Sequence, residues 1–265
     1  MKFDEAYTQY WASAVNKSVD GTIIAGVSEA KNLLEYMGMK RDDRVLDLGC
    51  SFGRMHEALA IYSDHIYGID PDPYAIEKAR LQPYRKVRQG AAEQTGFEKD
   101  FFDLVFCWAV FDVVDHKKGL AEINRILKSG GKLLLTGKND NYFPDDNLAY
   151  KAEKNAFLKS FPNKFTDLSS VLGNFEPLGF KLDKLLIFPQ RGDFGLLKYV
   201  DQGNDLKDNY FGYEYLIICH KVSDQNSAGL ININLESKFS KTAIKMAINA
   251  GFLNAKEYFE SIGVD

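Results

Sequence analysis

Three cysteines, Cys50, Cys107 and Cys219, are all that the 265 residues contain. The number is odd and no spacing suits zinc, so neither a disulfide framework nor a metal site is expected. Reduced thiols in a cytoplasmic protein are the plain reading. No apolar run reaches membrane-spanning length. The opening MKFDEAYTQYW carries acids where a secretory leader would carry an apolar core, so no signal peptide is expected. Clustered cations are missing too: 33 basic and 37 acidic residues leave a net charge of -4, spread along the chain. A phosphate backbone is bound by grouped Lys and Arg, so neither nucleic acid nor a membrane is the expected partner. There is no internal repeat and no low-complexity tract.

What is present is an ordinary globular balance, 45% apolar and 26% charged. The length allows one large α/β domain, or one domain with an appendage. Apolar residues at Val27, Ala30, Leu33, Leu34 and Met37 recur at helical spacing and stop at Gly38. RVLDL (44–48) reads as a buried strand and GRMHEALAIY as the helix after it. HIYGID (65–70), RKVRQG (85–90), FFDLVFCWAVF (101–111) and KLLLTG (132–137) read as further strands. PDPYAIEKAR (71–80), with prolines where a first helical turn tolerates them, and KKGLAEINRILKSGG (117–131), closed by glycine, read as helices. Strands that are continuous apolar runs and alternate with helices predict a parallel sheet covered on both faces, doubly wound through right-handed crossovers. Later, KLDKLLIF (181–188) and YEYLIICHKV (213–222) add two strands. A polar linker, SDQNSAG (223–229), then leads to two short amphipathic helices. The second of these opens with Asn254 and Glu257 at capping-box spacing.

In an open α/β sheet a ligand sits beyond the carboxyl ends of the strands, where strand order reverses. VLDLGCSFGRM turns from strand to helix at such a point, with Asp47 before the turn and Gly49 and Gly53 within it. Glycine lets the backbone bend tightly and approach a ligand without a Cβ in the way, and the helix beyond offers unpaired N–H groups. Asp70 ends the next strand, placed to accept hydrogen bonds from both hydroxyls of a ribose. A dinucleotide would require G-x-G-x-x-G, which Gly49-Cys50-Ser51-Phe52-Gly53 does not provide. The alternative nucleoside cofactor is S-adenosylmethionine, which has an ammonium and a carboxylate in place of phosphates.

VLDLGCSFGRM resembles motif I of the class I S-adenosylmethionine-dependent methyltransferases. IYGIDPDPYAIEKAR is similar to their second motif, VRQGAAEQTGF to their third, and the stretch from FFDLVFCW to LLLTG to their fourth strand, helix and fifth strand. The resemblance covers roughly residues 27 to 137. It implies a Rossmann-like sheet of seven strands, mostly parallel with an antiparallel last strand. The methyltransferase domain would span residues 1–222 and a small C-terminal helical extension residues 223–265. It also implies roles. Asp47, Gly49, Cys50, Ser51, Gly53 and Arg54 would line the methionine part. Asp70 and Pro71 would meet the ribose, Ala91, Ala92 and Glu93 the adenine, and Cys107 and Trp108 the methionine chain. Two departures stand out. Ser51 replaces the middle glycine of motif I, and Ala91 replaces the acid that often contacts the adenine amino group. As structural alternatives, Asp70 could cap the helix after it, Trp108 could be core, and His56 and His220 could be structural.

Methyl transfer from a sulfonium is an in-line displacement in which positioning contributes roughly 7–11 kcal/mol. A base is needed only if the nucleophile arrives protonated. In FDVVDH, Asp112 and His116 are the candidates. Asp115 reads as a helix cap, and a solvated histidine ahead of two lysines is the alternative for His116. Residues 1–26 form a candidate lid, with Tyr10 over the cofactor and Trp11 toward the substrate. Segments 138–165 and 189–212 would cover the substrate, Arg191 and Lys198 giving it cationic partners. The expected reaction is methylation of a small polar acceptor, first an oxygen of a sugar-like or phosphorylated metabolite, with an amine nitrogen next. A nicotinamide-dependent oxidoreductase and a non-catalytic S-adenosylmethionine-binding subunit are the readings from other classes. The tail is a candidate homodimer contact or lid.

Overall fold

The computed structural model describes residues 27–158, 163–203, 210–222 and 239–262. Tyr10, Trp11, the whole 1–26 segment and the 223–229 linker lie outside these.

Eight strands build the sheet: β1 (Arg44–Leu48), β2 (His65–Asp70), β3 (Lys86–Gln89), β4 (Phe102–Cys107), β5 (Leu127–Lys138), β6 (Phe180–Phe188), β7 (Val200–Gly203) and β8 (Glu214–Lys221). Their order is β3-β2-β1-β4-β5-β8-β6-β7. Strands β1 to β5 are parallel, β8 is antiparallel to both β5 and β6, and β7 is antiparallel to β6. The order reverses between β1 and β4, the switch point at which an open α/β sheet binds ligands.

The expected seven strands are therefore eight. The addition, β7, comes from the 189–212 stretch and was illegible for a physical reason. VDQG holds one apolar residue and no alternation, and it pairs only at the sheet edge, where a bulge interrupts the register at Leu185/Leu186. A Lys184–Asp201 ion pair of 2.9 Å helps to hold it there. A second correction concerns 117–131. The helix ends at Ile126 and the strand starts at Leu127. Gly130 and Gly131 are not a helix stop but the turn of a bulge between β4 and β5. Gly130 has φ +76°, and a Cβ on Gly131 would stand 2.8 Å from the Lys128 carbonyl oxygen.

Among the described residues the helices are α1 (Val27–Tyr36), α2 (His56–Ala60), α3 (Pro73–Ala79), α4 (His116–Ile126), α5 (Asn147–Leu158), α6 (Leu168–Gly173), α7 (Lys241–Asn249) and α8 (Ala255–Ser261). Side chains alternate along each strand, and both faces are buried. One face sets Leu46, Leu48, Val105 and Leu133 against Ile123 of α4 and Leu172 of α6. The other sets Val45, Phe106 and Leu134 against Leu34 of α1 and Leu59 of α2. The last two helices pack Ala243, Ala247 and Phe259 against Tyr150 and Phe157 of α5. Ser240 caps α7 and Asn254 caps α8 through the Glu257 N–H. Buried Glu153 of α5 accepts from the Tyr142 hydroxyl at 2.5 Å and from the Ser240 N–H and Oγ at 2.8 and 2.7 Å. No described helix is long and apolar enough to cross a membrane.

Candidate functional site

The loop after β1 is set by its backbone. Gly49, Ser51 and Gly53 all have positive φ, at +76°, +49° and +89°. The N–H groups of Gly49 and Cys50 both donate to the Ile69 carbonyl, at 2.8 and 3.0 Å, which lays the loop over the end of β2. A Cβ on Gly49 would collide with the Val110 side chain in the turn after β4. One on Gly53 would stand 2.7 Å from Gln82 Cγ. What the two glycines clear inside the protein is thus its own opposite wall. Ser51 takes the left-handed conformation that a glycine would have taken more cheaply, at roughly 1–2 kcal/mol.

Asp70 is built into this loop. Its Oδ2 accepts the Ser51 N–H and its Oδ1 the Asp72 N–H, both at 2.9 Å. The helix cap is Asp72, whose side chain accepts from the Tyr74 N–H. Burial pushes the Asp70 carboxyl up to about 6, against the two N–H bonds. Gln89 Nε2 donates to the Pro71 carbonyl at 3.0 Å, tying the ends of β2 and β3 together. Just beyond, Ala91 and Gln94 close a tight turn, and Ala92 is buried on Ile69 and Phe97. Glu93 accepts the Asp115 N–H at 2.7 Å.

Asp47 is 2% exposed. The Tyr84 hydroxyl donates to its Oδ2 at 2.6 Å. Burial pushes its carboxyl up to about 7, opposed by Tyr84 and by the charge of half-buried Arg54. Tyr84 also meets His56 edge-on, 4.5 Å between ring centroids. Burial thus displaces two carboxyls upward at one switch point, the pattern that makes it the candidate site.

At the end of β4, Cys107 and Trp108 are both buried, on opposite faces of the sheet. Trp108 stacks on Phe106 at 5.4 Å and meets Phe194 at 5.0 Å, so its ring is part of the core. Asp112 follows in a 3-10 turn, Phe111–Val113. Its Oδ2 pairs with the Lys138 ammonium at 2.5 Å and its Oδ1 accepts the Lys138 N–H at 2.9 Å, joining the turn to the end of β5. His116 is buried, not solvated. Its Nε2 lies 2.8 Å from the Phe111 carbonyl oxygen and its ring stacks on Phe111 at 4.1 Å. Asp115 is the α4 cap. His220 pairs with Asp183 at 2.7 Å.

Arg191, after β6, donates its backbone N–H to Asp146 at 2.6 Å and Nη1 to the Leu148 carbonyl at 3.3 Å. Lys198 is exposed in the turn before β7. Phe194 of the same turn meets Trp108 at the end of β4, and the Lys198 N–H donates to the Asp193 carbonyl at 3.0 Å. Three site residues had no signal in the sequence: Tyr84, in a linker without periodicity, Lys138, as a strand's last residue, and Glu214, as a strand's first. Each acquires its place only through register with a distant segment.

The donor set suits an adenosine attached to an amino acid. A carboxylate at the tip of β2 is already aimed by two amides, with a second buried acid and an arginine beside the glycine turn. Residues 46–135 match a family model described as methyltransferase domain. The uncharacterized methyltransferase YcgJ of Bacillus subtilis is 28% identical over 134 residues, covering 48% of this chain and 52% of that protein. A ubiquinone biosynthesis O-methyltransferase of Xanthomonas oryzae is 35% identical over 120 residues, 40% of this chain and 48% of the relative. The chain therefore spans about half the length of these two curated relatives. A Thermotoga maritima structure, titled as a possible histamine N-methyltransferase, superposes with a TM-score of 0.58 at 22% identity, over 82% of this chain and 98% of that one. At that identity the likeness is one of fold.

Proposed function

The chain carries a class I S-adenosylmethionine-dependent methyltransferase domain, and on that premise we propose that it methylates a small polar acceptor, first an oxygen of a sugar-like or phosphorylated metabolite. When bound, the cofactor supplies an electrophilic methyl on a sulfonium. Asp70 would take the ribose hydroxyls, its carboxylate held in orientation by the Ser51 and Asp72 amides. Asp47, Gly49, Cys50, Gly53 and Arg54 would line the amino-acid end, with the Ala91–Glu93 turn toward the adenine. The acceptor would sit beyond β4 and β5, under segments 138–165 and 189–212, with Arg191 as its cationic partner and residues 1–26 as a lid. Three free, buried thiols support cytoplasmic residence. The methyltransferase domain displaces the nicotinamide alternative.

The observation that carries this reading is the Asp70 carboxylate bonded to the amide of a left-handed residue in the β1 loop. Calorimetry tests it. S-adenosylhomocysteine should bind and NAD should not, and Asp70→Ala should weaken the former at least about tenfold, the loss expected for charge-assisted hydrogen bonds. Equal affinity in a folded Asp70→Ala protein would sink it. Product mass spectrometry over a panel of small hydroxyl and amine acceptors then separates an enzyme from a binding subunit.

A further inference from the structure

The inference here rests on the methyltransferase reading and deepens it. Glu214 opens β8 and is the register partner of Lys138 at the end of β5, with Phe188 of β6 opposite it on the other side. By alternation its side chain shares a sheet face with Asp47, Trp108 and Thr136, at the edge where β1, β4 and β5 end. The Lys138 ammonium in register with it is ion-paired with Asp112. No hydrogen bond or ion pair from the described residues reaches the Glu214 carboxylate. The groups facing it are Lys138 of β5, Asp112 of the turn after β4, Arg191 after β6 and Asp146 before α5. Neighbouring Tyr213 is fully buried, its hydroxyl without a partner among the described residues. A carboxylate that served only to hold β8 to β5 would be expected to pair with the lysine in register with it. Instead burial holds Glu214 up to about 7, Lys138 lowering it and Asp112 raising it, a range in which a group takes up protons at neutral pH.

We propose that Glu214 is the proton acceptor facing the transferred methyl. The acceptor's heteroatom forms a bond to the methyl carbon while the carbon–sulfur bond breaks, leaving its electron pair on sulfur. The proton of that heteroatom passes to the Glu214 carboxylate. The Asp112–Lys138 pair keeps the ammonium from engaging that carboxylate.

The test needs no identified acceptor. Sinefungin carries an ammonium where S-adenosylmethionine carries its methyl, on a carbon in place of the sulfur, and S-adenosylhomocysteine carries neither methyl nor charge there. Calorimetry of the full chain with both, from pH 6 to 8.5, reads the charge that faces the methyl position. The preference for sinefungin should grow about tenfold as pH rises, an effect expected of opposite charges a few ångströms apart. Glu214→Gln should abolish that growth while S-adenosylhomocysteine affinity stays within about twofold. A preference independent of pH, or unchanged in Glu214→Gln, overturns the proposal. Should Glu214→Gln lose S-adenosylhomocysteine as well, Glu214→Asp decides: pH-dependent growth retained supports the role, growth lost refutes it. Failure of the parent chain to bind S-adenosylhomocysteine sinks the methyltransferase reading and this proposal with it.

Discussion

Asp47 is an acid held away from water, with one phenol hydroxyl as its hydrogen-bond donor. Its carboxyl titrates near 3.8 when exposed and near 7 in the fold. A raised acid favours the folded state only while it is protonated. Its contribution is fully present below pH 3.8 and is lost as pH rises through about 7, on the order of 4 kcal/mol in all. Asp47→Asn keeps the Tyr84 bond and removes the charge. Its advantage in urea-unfolding stability over the parent should therefore be larger at pH 8 than at pH 5, by about 3 kcal/mol. The other raised acids, Asp70, Asp140, Glu153 and Glu214, act in the same direction in both proteins. An equal advantage at the two pH values would mean that Asp47 is not the group that ionises there. At this scale Asp47, Gly49 and Asp70 were legible because motif spacing names them. Tyr84 and Glu214 were not, since their neighbours are chosen by sheet register rather than by adjacent residues.

At the scale of elements, α7 and α8 lean on α5 through one aromatic cluster. Phe259 lies 5.8 Å from Tyr150, 5.6 Å from Phe157 and 5.7 Å from Phe239, centroid to centroid. Phe259→Ala should cost roughly 3–5 kcal/mol where it packs. Hydrogen exchange should then accelerate in residues 239–262 and in α5, while the amides of β1, β4 and β5 keep their protection. Acceleration spread evenly over the chain would show that the helical pair and the sheet unfold as one unit. These two helices could be read from apolar spacing and caps alone. The boundary between α4 and β5 could not, because Gly130 and Gly131 carry the same signal whether they stop a helix or bulge a strand. Nor could β7, whose four residues are held by an edge ladder and an ion pair rather than by a burial pattern.

Across the whole molecule, the alternation of strands and helices told the parallel half of the sheet correctly, since both buried faces demand continuous apolar strands. The number of strands depended on the antiparallel half, where pairing is long-range. All three thiols are free and buried, Cys50 in the β1 loop and Cys107 and Cys219 beneath the sheet. An aromatic disulfide reagent should find almost none of them in the native chain and three after denaturation. S-adenosylhomocysteine should slow the residual labelling of Cys50 more than that of the other two. Prompt labelling of Cys107 or Cys219 without denaturant would contradict this packing.

The abutment of Gly49 on Val110 has a consequence for descent. The methyls of Val110 occupy the volume that any side chain at 49 would need, so position 49 cannot drift by itself. A smaller residue at 110 would make room at 49 without making that position easy to fill, because its φ of +76° is one that L side chains rarely adopt.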